Sequence, residues 1–406
     1  MASTFTMTQE SQDQGNFYVP QFEVRIEGVG LPRDVLRDVR EVSYHDDINE
    51  IDGFQITVNN WDPNLRAYKY VGSETATTLQ GSNDESARQR LFDPCDKKVE
   101  LWMGYPGKLQ LMMTGIFTSL SPSFPSSGGP TLTVGALNLL HRFRGDKHTQ
   151  VFENQTPSQI ASQFTLTNSS TQTSLNVVPD PDNTNLERNQ PIVYLMQDSQ
   201  TDLDFLLSLA RRHGYVLLLQ EEVTDSRGRV TRPAQLYFGP SNGTGLRQAT
   251  VELGWGKSLT EFQPTLTTAN QVKSVTVRGW NRDTKAPIEG KASITDSDFN
   301  FNENLKELLN VCDPQTEQVV NEPVFTQAEA DRRARDILLN QFRDMVTTSA
   351  TTVGLPDLRA GRNVVISGVG SRFSGNYFMT QTTHSIGANG YTTQVNARRE
   401  DRGQSN

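Results

Sequence analysis

The sequence predicts an α+β protein that is mainly β, with two β-rich domains, a small α/β domain between them and a helical insertion in the second β-rich domain. The first observation is that apolar and polar residues alternate in many short runs, which is the period-two signature of half-buried strands. The second is the supply of turn residues, 30 glycines and 19 prolines along 406 residues. The third is a mean hydropathy of −0.54, which is polar for one compact globule and suits several small, mostly β domains.

The first β-rich domain is predicted over residues 17–147, after a disordered polar tail at 1–16. A polar stretch within 62–92 is expected to be a loop with a short helix. Many short strands separated by turns favour a barrel or a sandwich. The strands are indicated by Phe22, Val24 and Ile26; Phe54, Ile56 and Val58; Val99, Leu101 and Met103; Leu111 and Met113; and Leu132 and Val134.

A small α/β domain is predicted over residues 148–245. Thr156, with Pro157 next and Gln159 three residues after the cap, predicts a helix over 157–164. Thr201 begins a second helix that ends at Gly214. Strands over 215–219 and 236–238 are expected to pair. The apolar face of the second helix consists of Leu203, Leu206, Leu207 and Ala210.

The second β-rich domain is predicted over 246–299 and 347–400, with the helical insertion at 300–346 and a tail at 401–406. In the insertion, Thr326 and Glu329 form a capping box. The strands of this domain are indicated by Val272, Val275 and Val277 and by runs at 364–366, 377–379 and 391–395. The apolar stripe of the inserted helix consists of Ala330, Ala334, Ile337, Leu338, Phe342 and Met345.

Internal repetition has one weak indication in the sequence. Residues 58–62 read VNNWD and residues 277–281 read VRGWN. Five residues are too few to establish a duplication.

Charge and cysteine content narrow the function classes. The net charge of −9 argues against nucleic acid as the main partner, because phosphate binding needs clustered Lys and Arg. Cys95 and Cys312 fit no disulfide framework or metal motif, so we expect free thiols from a reducing cytoplasm. No run of about 20 apolar residues is present, and the N-terminus lacks the apolar stretch of a signal peptide.

The sharpest enzymatic motif is the G-x-S-x-G string at 239–243, which places Ser241 as a nucleophile and leaves His384 as the base. The residues after it contain turn signals and no amphipathic helix, so a hairpin turn also explains the string. The serine hydrolase is therefore a remote alternative. We predict no catalytic residue.

Metal and cofactor motifs are equally weak. The histidines His45, His141, His148, His213 and His384 show no ligand spacing. The loop at 180–183 resembles a calcium loop but lacks its Gly and Glu positions. Gly368, Gly370 and Gly375 do not have dinucleotide-binding spacing. We predict no metal site and no cofactor.

Four segments in order resemble one protein family. They are 92–105 with Phe117 and 132–140; 200–215 (QTDLDFLLSLARRHGY) with 236–240; 275–287 (VTVRGWNRDTKAP); and 373–393, from FSGNY through Thr383-His384 to GYTT. In this order they resemble the hub proteins of contractile tails, the phage late control D family. The N-terminal halves of valine-glycine-repeat spike proteins of type VI secretion belong to the same group.

The resemblance implies two tail-tube-like β-barrels per chain and a homotrimer that adapts a sixfold inner tube to a threefold spike. It also implies a place in the baseplate of a phage tail or injection particle, among other baseplate components and near cargo. The protein is expected to be structural, made in the bacterial cytoplasm, with no nucleic-acid specificity and no membrane insertion. Because the chain ends just after the second barrel, we expect a separate spike protein.

A β-rich carbohydrate-binding or adhesion module is the main alternative. It predicts a monomer with exposed aromatic platforms. The candidates are Trp61, Trp102, Trp255 and Trp280.

Overall fold

The structure is a computed structural model. It describes residues 19–72, 84–94, 97–168, 173–183, 187, 191–224, 229–246, 251–269, 271–282, 284–296, 307–308, 311 and 318–400. Both predicted tails (1–16 and 401–406), both cysteines and part of the predicted insertion lie outside these residues.

The described residues are mainly β, as the sequence predicts. The strands of the first part are β1 (Gln21–Ile26), β2 (Val29–Gly30), β3 (Val39–Asp47), β4 (Gly53–Asn59), β5 (Trp61–Asp62), β6 (Ala67–Tyr68), β7 (Lys98–Tyr105), β8 (Lys108–Ser123) and β9 (Thr131–Asn138). The central part contains β10 (Lys147–Gln155), β11 (Thr165–Asn168), β12 (Thr173–Pro179), β13 (Ile192–Thr201), β14 (Tyr215–Gln220), β15 (Val223–Thr224), β16 (Val230–Arg232) and β17 (Gln235–Pro240). The last part contains β18 (Val251–Gly254), β19 (Leu259–Leu266), β20 (Ser274–Asn281), β21 (Ala286–Ser293), β22 (Gln318–Asn321), β23 (Val346–Val353), β24 (Asn363–Ser367), β25 (Gly375–Gly387) and β26 (Gly390–Arg399).

Helices are short except for the last. They are α1 (Arg33–Asp38), α2 (Asp84–Gln89), α3 (Pro157–Ala161), α4 (Asp202–Arg212) and α5 (Gln327–Arg343), with a 3-10 turn at Leu139–Phe143. None of the described helices has the length and apolar character needed to cross a bilayer.

A sheet of 13 strands runs through both predicted β-rich domains. Its order is β19-β23-β26-β25-β3-β4-β9-β8-β7-β1-β2, and β24 and β18 branch from β25. The N-terminal sheet module is β1, β3, β4, β7, β8 and β9. The C-terminal sheet module is β18, β19, β23, β24, β25 and β26.

The two modules have the same order in the chain and the same order in space. Reading from one end, β3-β4-β9-β8-β7-β1 corresponds to β19-β23-β26-β25-β24-β18. The modules differ in the direction of the last pair, because β1 is antiparallel to β7 and β18 is parallel to β24. They also differ in a register shift between Leu101 and Trp102, which the pair of β24 and β25 lacks. The molecule therefore contains an internal structural repeat.

Two β-bulges show that the repeat extends to the register. In the first strand pair, the register shifts between Val39 and Glu41 in one module and between Leu259 and Glu261 in the other. In the long hairpins, it shifts between Phe117 and Ser119 and between Met379 and Gln381. An extra residue at a defined position is a specific feature of a sheet. The bulges align the two modules, so that Glu41 corresponds to Glu261 and Ser119 to Gln381.

The short sequence similarity at 58–62 and 277–281 does not reflect this repeat. Val58 lies in β4, whose counterpart is β23, whereas Val277 lies in β20 of a separate sheet.

The central part forms its own core. Its four-stranded sheet has the order β11-β12-β17-β14, and the predicted pairing of 215–219 with 236–238 is present as β14 with β17. Helix α4 starts at the Thr201 cap and buries Phe205 and Leu209 in addition to the predicted apolar face. The ring of Phe205 stacks on Phe152 of β10 at 5.5 Å, because the ribbon of β10 and β13 covers a second side of the helix. Helix α3 ends at Ala161, earlier than predicted.

A three-stranded sheet, β21-β20-β22, packs against α5 and stands apart from the large sheet. Residues 274–293 were expected with the second β-rich domain, and in the structure they accompany the helix. The backbone of Ala330 lies so close to Gly290 that a Cβ there would be 2.2 Å from it. Glycine at this position is what allows α5 to lie on β21.

Candidate functional site at the module junction

The two sheet modules are joined by one strand pair. Residues 381–386 of β25 pair with residues 47–42 of β3. Next to this ladder the Ile48 amide donates to the Thr380 carbonyl oxygen at 3.0 Å. Because Thr380 accepts from this side, the backbone groups of the even-numbered residues of β25 face β3.

A buried ion pair lies at this junction. Arg359 Nε donates to Asp46 Oδ2 at 2.7 Å, and both side chains are largely buried. Arg359 also donates to the Tyr44 hydroxyl and lies 4.8 Å over the Tyr44 ring. Thr382 donates its hydroxyl to the other oxygen of Asp46. Asp46, in the N-terminal module, is therefore compensated by groups from the C-terminal module.

Other ionisable groups at the junction have shifted pKa values. Burial and the charge of Asp46 raise the pKa of Asp52 to about 8. Burial raises the pKa of Glu221, which accepts from the Thr114 amide, to about 7. Burial lowers the pKa of His384 to about 4. Burial at the junction therefore favours the neutral forms of both His384 and Asp52.

Ser241 and His384 are held by different partners. Ser241 is 1% exposed and donates to Glu400 at 2.6 Å, and Glu400 also pairs with Arg398. His384 Nδ1 lies 2.9 Å from the Tyr391 hydroxyl, and its Nε2 lies 2.8 Å from the Leu358 carbonyl oxygen. Ser241 follows β17 in a turn. The turn interpretation of the motif fits these contacts, whereas a serine nucleophile needs an accessible hydroxyl beside a base.

The remaining metal and cofactor motifs have structural contacts. Asp180 accepts from the amides of Asp182 and Gly245, which closes a loop beside β17. Gly368 and Gly370 have φ near +80° in a turn after β24. Within the described ranges, no three His, Cys, Asp or Glu side chains are grouped as metal ligands.

The four tryptophans differ in exposure. Trp255 is 52% exposed and Trp280 is 54% exposed, whereas Trp61 and Trp102 are half-buried. Trp280 lines a groove, together with Arg278, Arg282 and the segment 321–325.

Two open strand edges correspond to the strands that pair at the junction, and the sequence analysis did not predict them. In the N-terminal module, β7 pairs with β8 only as far as Ile116, so β9 is the one neighbour of residues 119–123 among the described strands. In the C-terminal module, β19 pairs with β23 and has no second neighbour among the described strands. These edges correspond to the edges of β25 and β3 that form the junction.

Comparison with solved structures supports the fold. The chain is similar to the 43 kDa tail protein of prophage MuSo2 from Shewanella oneidensis, with 12% identity over 93% of this chain and 98% of that one and a TM-score of 0.58. It is also similar to the tail protein from Neisseria meningitidis MC58, with 13% identity over 95% of this chain and 98% of that one and a TM-score of 0.60. At these identities the likeness shows that the chain has a tail-protein fold.

No curated protein matches the sequence significantly. A family profile, described as the Alg8 N-terminal domain, matches residues 18–388, which is most of the chain. The chain therefore belongs to the Alg8 N-terminal domain family.

Proposed function

We propose that this chain is the structural hub of a phage-type tail baseplate or a related contractile injection system. In this proposal it is a homotrimer whose six sheet modules, as tube-like barrels, adapt a sixfold inner tube to a threefold spike. The tail-protein fold of the two solved structures supports the class of particle. The observation that carries the trimer is the pair of open edges that repeats the module junction.

The register of the contact between chains follows from the repeat. In the junction, Thr382 faces Asp46 and Ile386 faces Val42. In the alignment by bulges, Thr382 corresponds to Leu120 and Ile386 corresponds to Phe124. On the other strand, Asp46 corresponds to Leu266 and Val42 corresponds to Phe262. Residues 119–124 of one chain would therefore face residues 267–262 of the next.

Side chains on these two edges are complementary in this register. Leu120, Pro122 and Phe124 lie on one edge, and Phe262, Pro264 and Leu266 lie on the other. Phe124 is 53% exposed, whereas its counterpart Ile386 is 8% exposed because the other module covers it. An apolar stripe beside an open strand is typical of an interface. In this contact, Leu120 and Leu266 would occupy the positions that the polar pair Thr382 and Asp46 occupies in the internal junction.

Two prolines shape the proposed contact. The Thr267 amide donates to the Met345 carbonyl oxygen, so by alternation the nitrogen of Pro264 faces the open edge. Pro122 corresponds to His384, whose backbone faces β3 in the junction. Because proline has no N–H, the backbone ladder would be interrupted where these residues meet. Side-chain packing would then contribute most of the specificity, and unrelated strands would be disfavoured.

The contact uses different surfaces on the two partners, so it is heterologous and must close into a ring or continue as a fibre. Three chains with two modules each give a closed ring of six units, which matches a sixfold tube. A separate spike protein, the inner tube protein and other baseplate components are the proposed partners. The protein would reside in the tail-like particle and act without catalysis.

Native mass measurement tests the proposal directly. The purified chain of 45.3 kDa is measured alone and after co-expression with its candidate spike protein. We expect a trimer. The variant Phe124→Asp should be monomeric, because a charge in the apolar stripe would be desolvated without a partner, at a cost of several kcal/mol. Val151→Asp is the matched control, since Val151 is 47% exposed and lies in β10, which pairs with β13 in a sheet separate from both edges. A monomer under both conditions would refute the hub.

A further inference from the structure

The groove beside Trp280 is formed by the alternation of strand β20. Arg278 and Trp280 are exposed on one face of β20, and the exposed Arg282 follows the strand; all three line the groove. The opposite wall is the segment 321–325 after β22, and the groove has a volume of about 380 Å³. Val324, 1% exposed, fixes this wall because its side chain occupies the space beside Gly279.

The backbone of β20 is open in this groove. Strand β22 runs parallel to β20 only as far as the pair Arg278 and Asn321, and the Glu322 amide then donates to the Arg278 carbonyl oxygen at 3.3 Å. Because backbone groups alternate sides, the N–H and C=O of Trp280 point to the same side, which is the groove. On the side of β21, Trp280 lies opposite Pro287, which has no N–H. The backbone groups of Trp280 point away from β21, so this pair needs no hydrogen bond from Pro287.

Two arginines flank the exposed indole of Trp280 in the described part of the groove. Arg282 lies 5.8 Å over the Phe325 ring, and Arg278 pairs with Glu289 at 3.1 Å on the surface. Glu322 in the groove wall is neutralised by Arg333, whose Nε and Nη2 donate to it at 2.7 and 2.9 Å. An anionic group would therefore be attracted to both ends of the exposed indole.

We propose that this groove binds an extended peptide segment of another protein, one with acidic side chains on both sides of an apolar one. The segment would add as a strand beside residues 279–282 and pair with the Trp280 backbone. Its acidic side chains would contact Arg278 and Arg282, and its apolar side chain would lie on the indole. A glycan could stack on Trp280, but it lacks the regular amides that an open strand edge pairs with. The site does not depend on the trimer.

Binding of designed peptides tests this inference on the full chain. The probe is a fluorescein-labelled peptide, Ser-Glu-Thr-Val-Thr-Glu-Ser, whose Glu, Val and Glu face one side when extended. Its matched controls have Lys in place of both Glu, or N-methyl groups on alternate amides. Fluorescence anisotropy should show that the acidic peptide binds about tenfold or more tightly than either control.

Variants separate the groove from other aromatic surfaces. Trp280→Ala and Arg282→Gln should each weaken binding about tenfold. Trp255→Ala should leave it unchanged, because Trp255 has nearly the same exposure and lies elsewhere. The proposal is overturned if the acidic peptide does not bind at about millimolar concentration, if the Lys peptide binds equally, or if Trp280→Ala has no effect. Binding of an acidic oligosaccharide that competes for Trp280, with no effect of N-methylation, would assign a glycan site instead.

Discussion

The junction residues show how burial changes the chemistry of single side chains. Arg359 and Thr382 both donate hydrogen bonds to Asp46. Asp52 lies nearby and receives a hydrogen bond from Asn138 Nδ2 at 2.9 Å, but the charge of Asp46 disfavours a second anion. Burial and the neighbouring charge of Asp46 therefore favour the protonated form of Asp52.

Asp52 should make the stability of the protein depend on pH. Its folded pKa of about 8 is above the ordinary value, so the folded chain keeps a proton that the unfolded chain releases. The stabilisation is complete below about pH 4 and is lost as pH rises to about 8, with a slope of up to about 1.4 kcal/mol per pH unit. Asp52→Asn should remove this part of the decline, as measured by urea unfolding between about pH 5 and about pH 8.

Asp62→Asn is the control for this prediction. Hydrogen bonds from the Leu65 and Asn64 amides lower the pKa of Asp62, so its titration lies below the measured range. Because the pKa of Glu221 is raised to about 7, its titration should still lower the free energy of unfolding as pH rises to about 7, in wild type and in Asp52→Asn alike. Parallel stability curves for wild type and Asp52→Asn would contradict the assignment.

Residue-level partners could not be predicted from the sequence. The pattern at 239–243 indicates a turn after a strand, and the structure places Ser241 in such a turn. Its partner Glu400 is far away in the chain and is brought near by the last strand of the large sheet. Asp46 is the exception, because its position could have been noticed in the sequence. It follows Val42 and Tyr44 in the alternating pattern of a strand, at a buried position where an apolar residue is usual.

At the scale of elements, helix α5 holds the end of helix α4. Arg333 Nη1 donates to the Arg212 carbonyl oxygen at 2.7 Å, Asn340 donates to that of Arg211 at 3.3 Å, and Arg343 donates to that of Gly214 at 3.0 Å. The last carbonyls of a helix lack partners within it and carry partial negative charge. The side chains of α5 therefore cap α4 from another part of the fold.

Removing one of these caps should loosen the end of α4. Arg333→Ala loses the bond to the Arg212 carbonyl oxygen and both bonds to Glu322, so we expect a loss of about 1–3 kcal/mol. Hydrogen exchange should accelerate in the last turn of α4 and in the first turns of α5. Unchanged exchange in α4 would show that the cap is not needed.

The strands and their faces could be predicted, because alternation reports which side of a strand is buried. Strand partners could not. The run Val275 to Val277 indicates a strand, and nothing in it shows that β20 leaves the large sheet for α5. The capping Thr326 and the buried Ala330, Ala334 and Leu338 of α5 are as predicted, because a helix start and stripe are local patterns.

At the scale of the whole molecule, the repeat is conserved in geometry but barely in residues. Tyr44 corresponds to Pro264 and Ile56 to Ala350, so the two modules share pairing positions with different side chains. The repeat is visible only in the strand order, the pairing register and the bulges. These features depend on contacts between residues that are distant in the sequence, so the repeat could not be predicted from the sequence. The internal junction then serves as a template for the contact between chains.

This template predicts one specific cross-link between copies. In the internal junction Thr383 faces His45, and Thr383 Oγ1 lies 3.1 Å from His45 Nδ1. Their counterparts on the open edges are Ser121 and Thr265, both exposed. Neighbouring side chains in such a pair have Cβ atoms about 4.5–5.5 Å apart, close to the range of a disulfide. With Cys95 and Cys312 changed to Ser, Ser121→Cys with Thr265→Cys should give covalent trimers and no larger products under oxidation.

The control shifts one cysteine along the same strand. Ser121→Cys with Glu261→Cys places the thiols about four residues apart in the proposed register, roughly 13 Å, which is too far for a disulfide. Non-reducing electrophoresis of both proteins reads the result. A ladder that continues beyond three chains would mean that the contact does not close, because a heterologous interface with the wrong rotation gives a fibre. Equal cross-linking by both cysteine pairs would mean that the edges meet without the register of the internal junction, and the repeat would then not be the template of the assembly.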